Sequence, residues 1–140
     1  MNKGKSQFES IAEELADLLR WDPKVIKAYT FLLSKQGEVM REDMVEGLSL
    51  QECDLDGLLS DMDDSGLIVR GPSGYYPVHP RFGISNVFRL SCAKDPSVRL
   101  KRQKVDALMS ILASHRDRLE ERQFAQRRDP FQPSNGSTND

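Results

Sequence analysis

The cysteines and histidines of this chain number two each and are widely spaced. Cys53 and Cys92 lie 39 residues apart, and neither has a second cysteine or a histidine at the spacing of a metal site. His79 and His115 are also distant, and no glycine-rich phosphate loop or HExxH motif occurs. The sequence therefore predicts no catalytic residue, no metal site and no cofactor. Both cysteines are interpreted as packing residues of a cytoplasmic protein.

A second set of side chains has the chemistry of nucleic-acid contacts. Gln51 could pair in bidentate fashion with adenine, and Glu52 or Asp54 could accept a hydrogen bond from cytosine. Cations could neutralise phosphates, which supplies most of the affinity for DNA. The candidates for this role are Arg41, Arg70, Arg81 and Lys35. The alternative is that the two later arginines only solvate the surface.

Residues 52–64 oppose such contacts, because they hold six carboxylates and no Lys or Arg. At roughly 10 Å in water, each carboxylate–phosphate pair costs about 0.4 kcal/mol before screening by salt. The three acids that come first, Glu52, Asp54 and Asp56, are expected to repel DNA most. We therefore expect few base contacts, and we expect these acids to suppress non-specific binding.

The two halves of the chain differ in charge. Residues 1–66 hold 7 Lys and Arg against 15 Asp and Glu, a balance of −8, whereas residues 67–140 hold 13 against 7, a balance of +6. A positive field lies where a nucleic acid binds. Contacts with DNA are therefore expected from the second half. The basic run at residues 99–104 is either part of them or the solvated face of a helix.

Helical periodicity and capping signals predict the first two helices. Ser6 and Glu9 form a capping box before an apolar face that ends at Leu19. Asp22 and Pro23 begin the second helix, and Gly37 is expected to stop it. Residues 39–40 are long enough only for a bridging strand.

A short helix at residues 42–46 and a turn at residues 47–48 precede a third helix. A second capping box, Ser49 with Glu52, is expected to open it. Gly57 is interpreted as a point of close helix packing rather than a functional position. The residues expected on the buried side are Cys53, Leu55, Leu58, Leu59 and Met62.

A β-hairpin follows, with strands at residues 67–70 and 75–78 and the turn Gly71-Pro72-Ser73-Gly74 between them. His79-Pro80 ends the hairpin and begins the next helix. The order helix, helix, helix, hairpin is typical of a winged helix-turn-helix. The predicted fold class is therefore mainly α with a small β-hairpin.

A long helix is predicted from Ser97 to about Gln126. Its heptad pattern has an apolar seam, which we interpret as a homodimer interface because a lone helix cannot bury it. The seam residues are Val105, Leu108, Leu112 and Leu119. Truncation after Pro96 is then expected to leave a folded monomer. His115, also on this seam, is interpreted as a packed histidine.

The expected divisions are an N-terminal helix at 1–21, a winged-helix domain at 22–91, a dimerisation helix at 92–128 and a disordered tail at 129–140. No apolar run approaches the ~20 residues that cross a membrane.

Three stretches resemble the archaeal TrmB-like winged-helix regulators. They are Ala28-Tyr29-Thr30-Phe31-Leu32-Leu33, Leu58-Leu59-Ser60-Asp61-Met62 with Ser65-Gly66-Leu67-Ile68, and Tyr76-Pro77-Val78-His79-Pro80-Arg81 followed by Ile84-Ser85-Asn86-Val87-Phe88-Arg89. The resemblance implies a homodimeric transcriptional regulator that binds double-stranded DNA. The chain is too short for the sugar-binding domain of larger members. The alternative is a protein-interaction module whose acidic third helix docks on a basic transcription or chromatin partner.

Overall fold

The structure, a computed structural model, describes residues 7–128, with side chains up to residue 122. These residues are mainly helical, with one two-stranded antiparallel sheet, which confirms the predicted class at this level. The helices are α1 (Gln7–Leu19), α2 (Pro23–Leu33), α3 (Arg41–Gly47), α4 (Glu52–Asp64), α5 (Pro80–Lys94), a 3₁₀ helix (Pro96–Lys101) and α6 (Arg102–Arg128). The strands are β1 (Ile68–Arg70) and β2 (Tyr75–Pro77). The predicted cap at Ser6 and the predicted tail at 129–140 lie outside the described residues.

Helices α1 and α2 pack against each other along their apolar faces. The predicted start of α2 is confirmed, because the Asp22 carboxylate accepts a hydrogen bond from the Lys24 N–H at 3.0 Å. The predicted stop at Gly37 is too late. Helix α2 ends at Leu33 and is capped by Ser34, and Gly37 lies in the following turn with φ of 73°.

The predicted start of α4 is wrong in its detail. Ser49 has φ of 54° and lies in the turn before the helix, so Gln51 is the cap residue and no side chain caps the helix. The Glu52 carboxylate pairs with Arg41 instead of reaching back. Cys53 is exposed, which contradicts its predicted burial, and Leu58 is half-buried. The core side of α4 is formed by Leu55, Leu59 and Met62.

The interpretation of Gly57 as a packing glycine is also wrong. A Cβ atom at Gly57 would meet no atom within 4 Å, because the position faces open space. Glycine inside an exposed helix costs about 1 kcal/mol relative to alanine. Gly57 therefore lowers the helical stability of α4 without a packing contact that requires a glycine there.

We expect Gly57→Ala to raise the free energy of unfolding by up to about 1 kcal/mol, because alanine restricts the unfolded chain and meets no clash here. Urea unfolding followed by circular dichroism measures the change. Gly83→Ala is the control, since a Cβ at Gly83 would lie 2.6 Å from the Tyr29 hydroxyl and should lower stability. A loss of stability in Gly57→Ala would mean that this face of α4 is not open.

The β-hairpin is attached to the segment that joins α2 to α3. Val39 and Tyr75 exchange two backbone hydrogen bonds of 2.9 Å, which confirms the predicted bridging strand. The Glu38 carboxylate accepts hydrogen bonds from the N–H groups of Ser73, at 2.6 Å, and Gly74 in the hairpin turn. The hairpin is thus held at its turn and along β2.

The predicted start of α5 is confirmed, since His79 caps it through its ring nitrogen and Pro80 is its first residue. The long helix begins later than predicted. The Asp95 carboxylate accepts hydrogen bonds from the N–H and hydroxyl groups of Ser97, and the next turn is 3₁₀. Helix α6 therefore begins at Arg102. No helix within residues 7–128 is long and apolar enough to cross a membrane.

The seam predicted for a dimer is covered inside the chain. Val105, Leu112 and Leu119 are buried and Leu108 is half-buried, because α6 packs against α1 and α5. The assumption that α6 lacks a partner within the chain is therefore wrong, because α1 and α5 cover its seam. The heptad pattern gives no reason for a second copy at this face, and truncation after Pro96 would remove part of the core.

Candidate functional site

The exposed positions of α4 carry a concentration of negative charge. Leu55, Leu59 and Met62 anchor the helix against α2, α3 and β1. Its exposed positions hold six carboxylates and no Lys or Arg, at Glu52, Asp54, Asp56, Asp61, Asp63 and Asp64. This negative charge attracts a basic ligand and repels an acidic one such as DNA.

Arg41, the first residue of α3, holds two of these carboxylates. Its guanidinium lies 3.0 Å from Glu52 Oε2 and 2.8 Å from Asp56 Oδ1. Glu52 and Asp56 are one helical turn apart, so a single planar guanidinium can reach both. Hydrogen bonds to Asp56 and then to Glu52 raise the pKa of Arg41 above its ordinary value.

The pairing changes the predicted role of Arg41. The two terminal nitrogens of Arg41 already contact carboxylates that balance its charge, so Arg41 is not a free cation. The same contact neutralises two of the three acids that were expected to repel DNA. Asp54 is the third, and it forms no ion pair with any side chain in residues 7–122.

A groove of about 610 Å³ runs between α4 and the β-hairpin. Arg70 lies at its hairpin side, exposed, with its guanidinium carbon 5.8 Å from the centre of the Tyr75 ring. The remaining residues of the groove are Arg41, Asp56, Leu59, Ser60, Asp63 and Ile68. Two cations and two carboxylates therefore share the groove, and the cation of the hairpin is the one without a carboxylate partner.

Gln51 and Asp54 are the two open polar side chains at the start of α4. Gln51 is exposed and its side chain caps nothing. Asp54 is exposed and three residues further along, so both project from one side of the helix. Glu52 and Asp54 were both predicted to accept a hydrogen bond from cytosine. Glu52 pairs with Arg41, so Asp54 is the one that remains available.

The other predicted phosphate contacts lie apart from this groove. Arg81 is exposed in the first turn of α5 and does not line it. Lys35 lies 5.0 Å from the centre of the Phe31 ring and lines a separate pocket with Glu38, Asp43 and Glu46. The structure therefore brings Arg41 and Arg70 together, and it leaves Arg81 and Lys35 elsewhere on the surface.

Two anchoring residues escaped the sequence analysis. Arg116 is 6% exposed and donates hydrogen bonds to the carbonyls of Leu33 and Lys35, at 3.2 and 2.8 Å, and to Glu120 at 3.0 Å. Glu38 holds the hairpin turn. Arg116 and Glu120 have the i,i+4 spacing of a helical ion pair, but the contacts that anchor the fold have no local sequence signal, because they join each side chain to backbone groups more than 30 residues away.

His115 packs edge-on against Phe8, with ring centres 4.7 Å apart. Burial and then the nearby Arg118 lower the pKa of His115. A lowered pKa favours the neutral imidazole ring, as expected for a packed histidine. Among the side chains of residues 7–122, no group of three or more His, Cys, Asp or Glu could hold a metal ion.

Comparison of the chain with protein-family models, curated proteins and solved structures found no match.

Proposed function

We propose that this chain is a winged helix-turn-helix DNA-binding transcriptional regulator, a short relative of the TrmB-like proteins. The observation that carries the proposal is the groove between α4 and the hairpin. A helix that follows a helix and a turn lies there beside a hairpin with an exposed arginine. In winged-helix proteins such a helix enters the major groove while the hairpin contacts the backbone.

In this proposal the hairpin supplies the phosphate contact and α4 supplies few base contacts. Arg70 neutralises a backbone phosphate, and Arg81 is a second candidate at the start of α5. Gln51 pairs with adenine and Asp54 accepts from cytosine N4. Arg41 is reassigned from a phosphate contact to the residue that holds Glu52 and Asp56.

We expect Asp54→Asn to bind random-sequence duplex about three- to tenfold more tightly than the wild type at low salt, because a carboxylate beside phosphates repels them. The gain should shrink as salt rises. Fluorescence anisotropy of a labelled duplex measures both effects. Glu52→Gln should gain less, since Arg41 already neutralises Glu52.

Asp17→Asn is the matched control, because it makes the same chemical change and the same change of net charge at an exposed position of α1. Equal gains in the Asp17 and Asp54 variants would mean that only net charge matters and that α4 does not approach DNA. The role of α4 in the proposal would then be wrong.

The acidity of α4 favours a second candidate, a protein-interaction module. Asp54, Asp61, Asp63 and Asp64 are exposed and form no ion pair within the described residues. A basic transcription or chromatin protein would complement them. For this function Asp54→Asn should weaken binding to the partner, and the wild type should not bind duplex DNA at about 50 mM salt.

A further inference from the structure

The segment that joins α2 to α3 leads to both sides of the groove between α4 and the hairpin. We call residues 34–40 the joining segment. Glu38 accepts hydrogen bonds from the hairpin turn, and Val39 forms the bridge with Tyr75 of β2. Directly after the joining segment, Arg41 contacts two carboxylates of α4. The contacts to the hairpin and to α4 therefore come from one short stretch of chain.

The joining segment is itself fixed to the rest of the fold. Arg116 of α6 donates hydrogen bonds to the carbonyls of Leu33 and Lys35, at the end of α2. Further along, the Val39 side chain is buried in the core, with 3% exposure. Because the joining segment is held at both points, its position does not depend on the hairpin.

The hairpin turn is built around the carboxylate of Glu38. Its Oε2 atom accepts hydrogen bonds from the N–H groups of Ser73, at 2.6 Å, and Gly74. A Cβ atom at Gly71 would overlap the same oxygen, and a Cβ atom at Gly74 would overlap the carbonyl oxygen of Val39. Hydrogen bonds to a carboxylate are charge-assisted and stronger than neutral ones. The two glycines therefore let the turn lie directly on the joining segment.

The turn depends on Glu38 more than the strands do. Each strand has three residues, and an isolated two-stranded hairpin is at most marginally stable in water. Strand β2 is held by the bridge at Tyr75, and the Tyr29 hydroxyl donates to the Val78 carbonyl just after it. Within the described residues, the hydrogen bonds from the turn to another part of the chain all go to Glu38. The placement of the turn, and of Arg70 directly before it, therefore depends on Glu38.

We infer that Glu38 is a positioning residue for DNA binding, which holds the hairpin turn at the distance from α4 at which Arg70 meets a backbone phosphate. The role in binding rests on the proposed function, whereas the placement of the hairpin is a property of the protein alone. A hairpin that is fixed beforehand loses less conformational freedom when it binds. By its charge alone, Glu38 would repel DNA, so positioning and charge predict opposite effects of its removal.

Pulsed electron paramagnetic resonance measures the placement of the hairpin without DNA. One spin label is attached to Cys53, which is exposed on α4, and the other to a Ser73→Cys substitution in the turn. Cys92→Ala removes the other thiol. With Glu38 present, the distance between the labels should have one narrow distribution. Glu38→Ala should broaden it, because the turn is released.

Two further variants separate the hydrogen bonds from the charge of Glu38. Glu38→Gln removes the same charge as Glu38→Ala and keeps an oxygen that accepts from the turn, so it should broaden the distribution clearly less. Gly71→Ala leaves the net charge unchanged, and its methyl group would displace the Glu38 carboxylate, so it should broaden the distribution as Glu38→Ala does. Circular dichroism verifies that the variants keep their helices.

Fluorescence anisotropy of a labelled duplex at about 50 mM salt measures the role in binding. Arg70→Ala should weaken binding by about tenfold, the contribution of one phosphate contact at this salt. In the Glu38→Ala background the same substitution should weaken binding by less than about twofold, because Arg70 is no longer held near the phosphate. Glu38→Ala alone should weaken binding although it removes a negative charge. Glu42→Ala, the same change at an exposed position of α3, should not weaken it.

A distance distribution in Glu38→Ala as narrow as that with Glu38 present would overturn the inference. So would an Arg70→Ala effect that is equally large with and without Glu38. Absence of DNA binding by the wild type would contradict the proposed function, and the distance measurement would still decide whether Glu38 places the hairpin.

Discussion

Leu112→Ala is expected to lower the free energy of unfolding by about 2–5 kcal/mol, the range for truncating a fully buried leucine. Leu112 is 1% exposed within a single chain, where α6 packs against α1 and α5. The loss combines burial of fewer methyl groups with the cavity that remains. Urea unfolding at several protein concentrations is the measurement.

The dependence on concentration distinguishes a core position from a dimer seam. If Leu112 belongs to the core of one chain, the loss of unfolding free energy should be the same at about 1 µM and at about 100 µM protein. Ile111→Ala is the control, since Ile111 is 43% exposed and its truncation should cost little. A loss in Leu112→Ala that vanishes in dilute protein would restore the seam as a dimer contact.

Arg116→Met should lower the free energy of unfolding by about 2–4 kcal/mol, because it leaves the carbonyls at the end of α2 without their donor. The guanidinium is nearly buried, and it bonds to Leu33 O and Lys35 O while pairing with Glu120. A cation at a helix C-terminus also stabilises the helix dipole. Methionine keeps much of the apolar stem and removes these contacts.

Arg118→Met is the matched control, two residues further along α6 and exposed. It should change stability by no more than about 0.5 kcal/mol. Thermal and urea unfolding of both variants compare the two positions. Equal effects would mean that Arg116 contributes only its positive charge, and that its hydrogen bonds to the carbonyls at the end of α2 do not stabilise the fold.

Local signals predicted the parts of the fold that depend on neighbouring residues. The cap of α2 at Asp22, the start of α5 at His79-Pro80 and the bridge at Val39 all follow from side chains adjacent to the element they define. The hairpin strands were likewise apparent from turn residues between two apolar runs. These elements could be predicted from the sequence because the signals that define them act over a few residues.

Signals that depend on distant partners were misread or missed. Ser49 and Glu52 have the spacing of a capping box, but Arg41 takes the carboxylate and the backbone of Ser49 lies in the left-handed region. The seam on α6 was recognised as apolar, yet its period does not reveal which surface covers it. Gly57 shows the same limit, because a sequence does not tell close packing from open space.

The sequence predicted which side chains of the candidate site are exposed, with the exception of the pairing of Arg41. It did not predict the ion pairs that Arg41 forms with α4. Gln51, Arg70 and Arg81 are exposed, as a ligand contact requires, whereas Arg41 is engaged by α4 itself. That connection lies between residues 11 and 15 positions apart, so no single-helix spacing rule includes it. It also leaves Asp54 as the acid on which the proposed base recognition or repulsion would depend.

Binding of the wild-type chain to duplex DNA at about 50 mM salt, followed by anisotropy on several sequences, tests the central claim most directly. The proposal predicts binding that weakens steeply with salt, and an Arg70→Ala variant that binds all sequences more weakly with a salt slope smaller by about 1. The absence of binding to every duplex at this salt would contradict the proposed function.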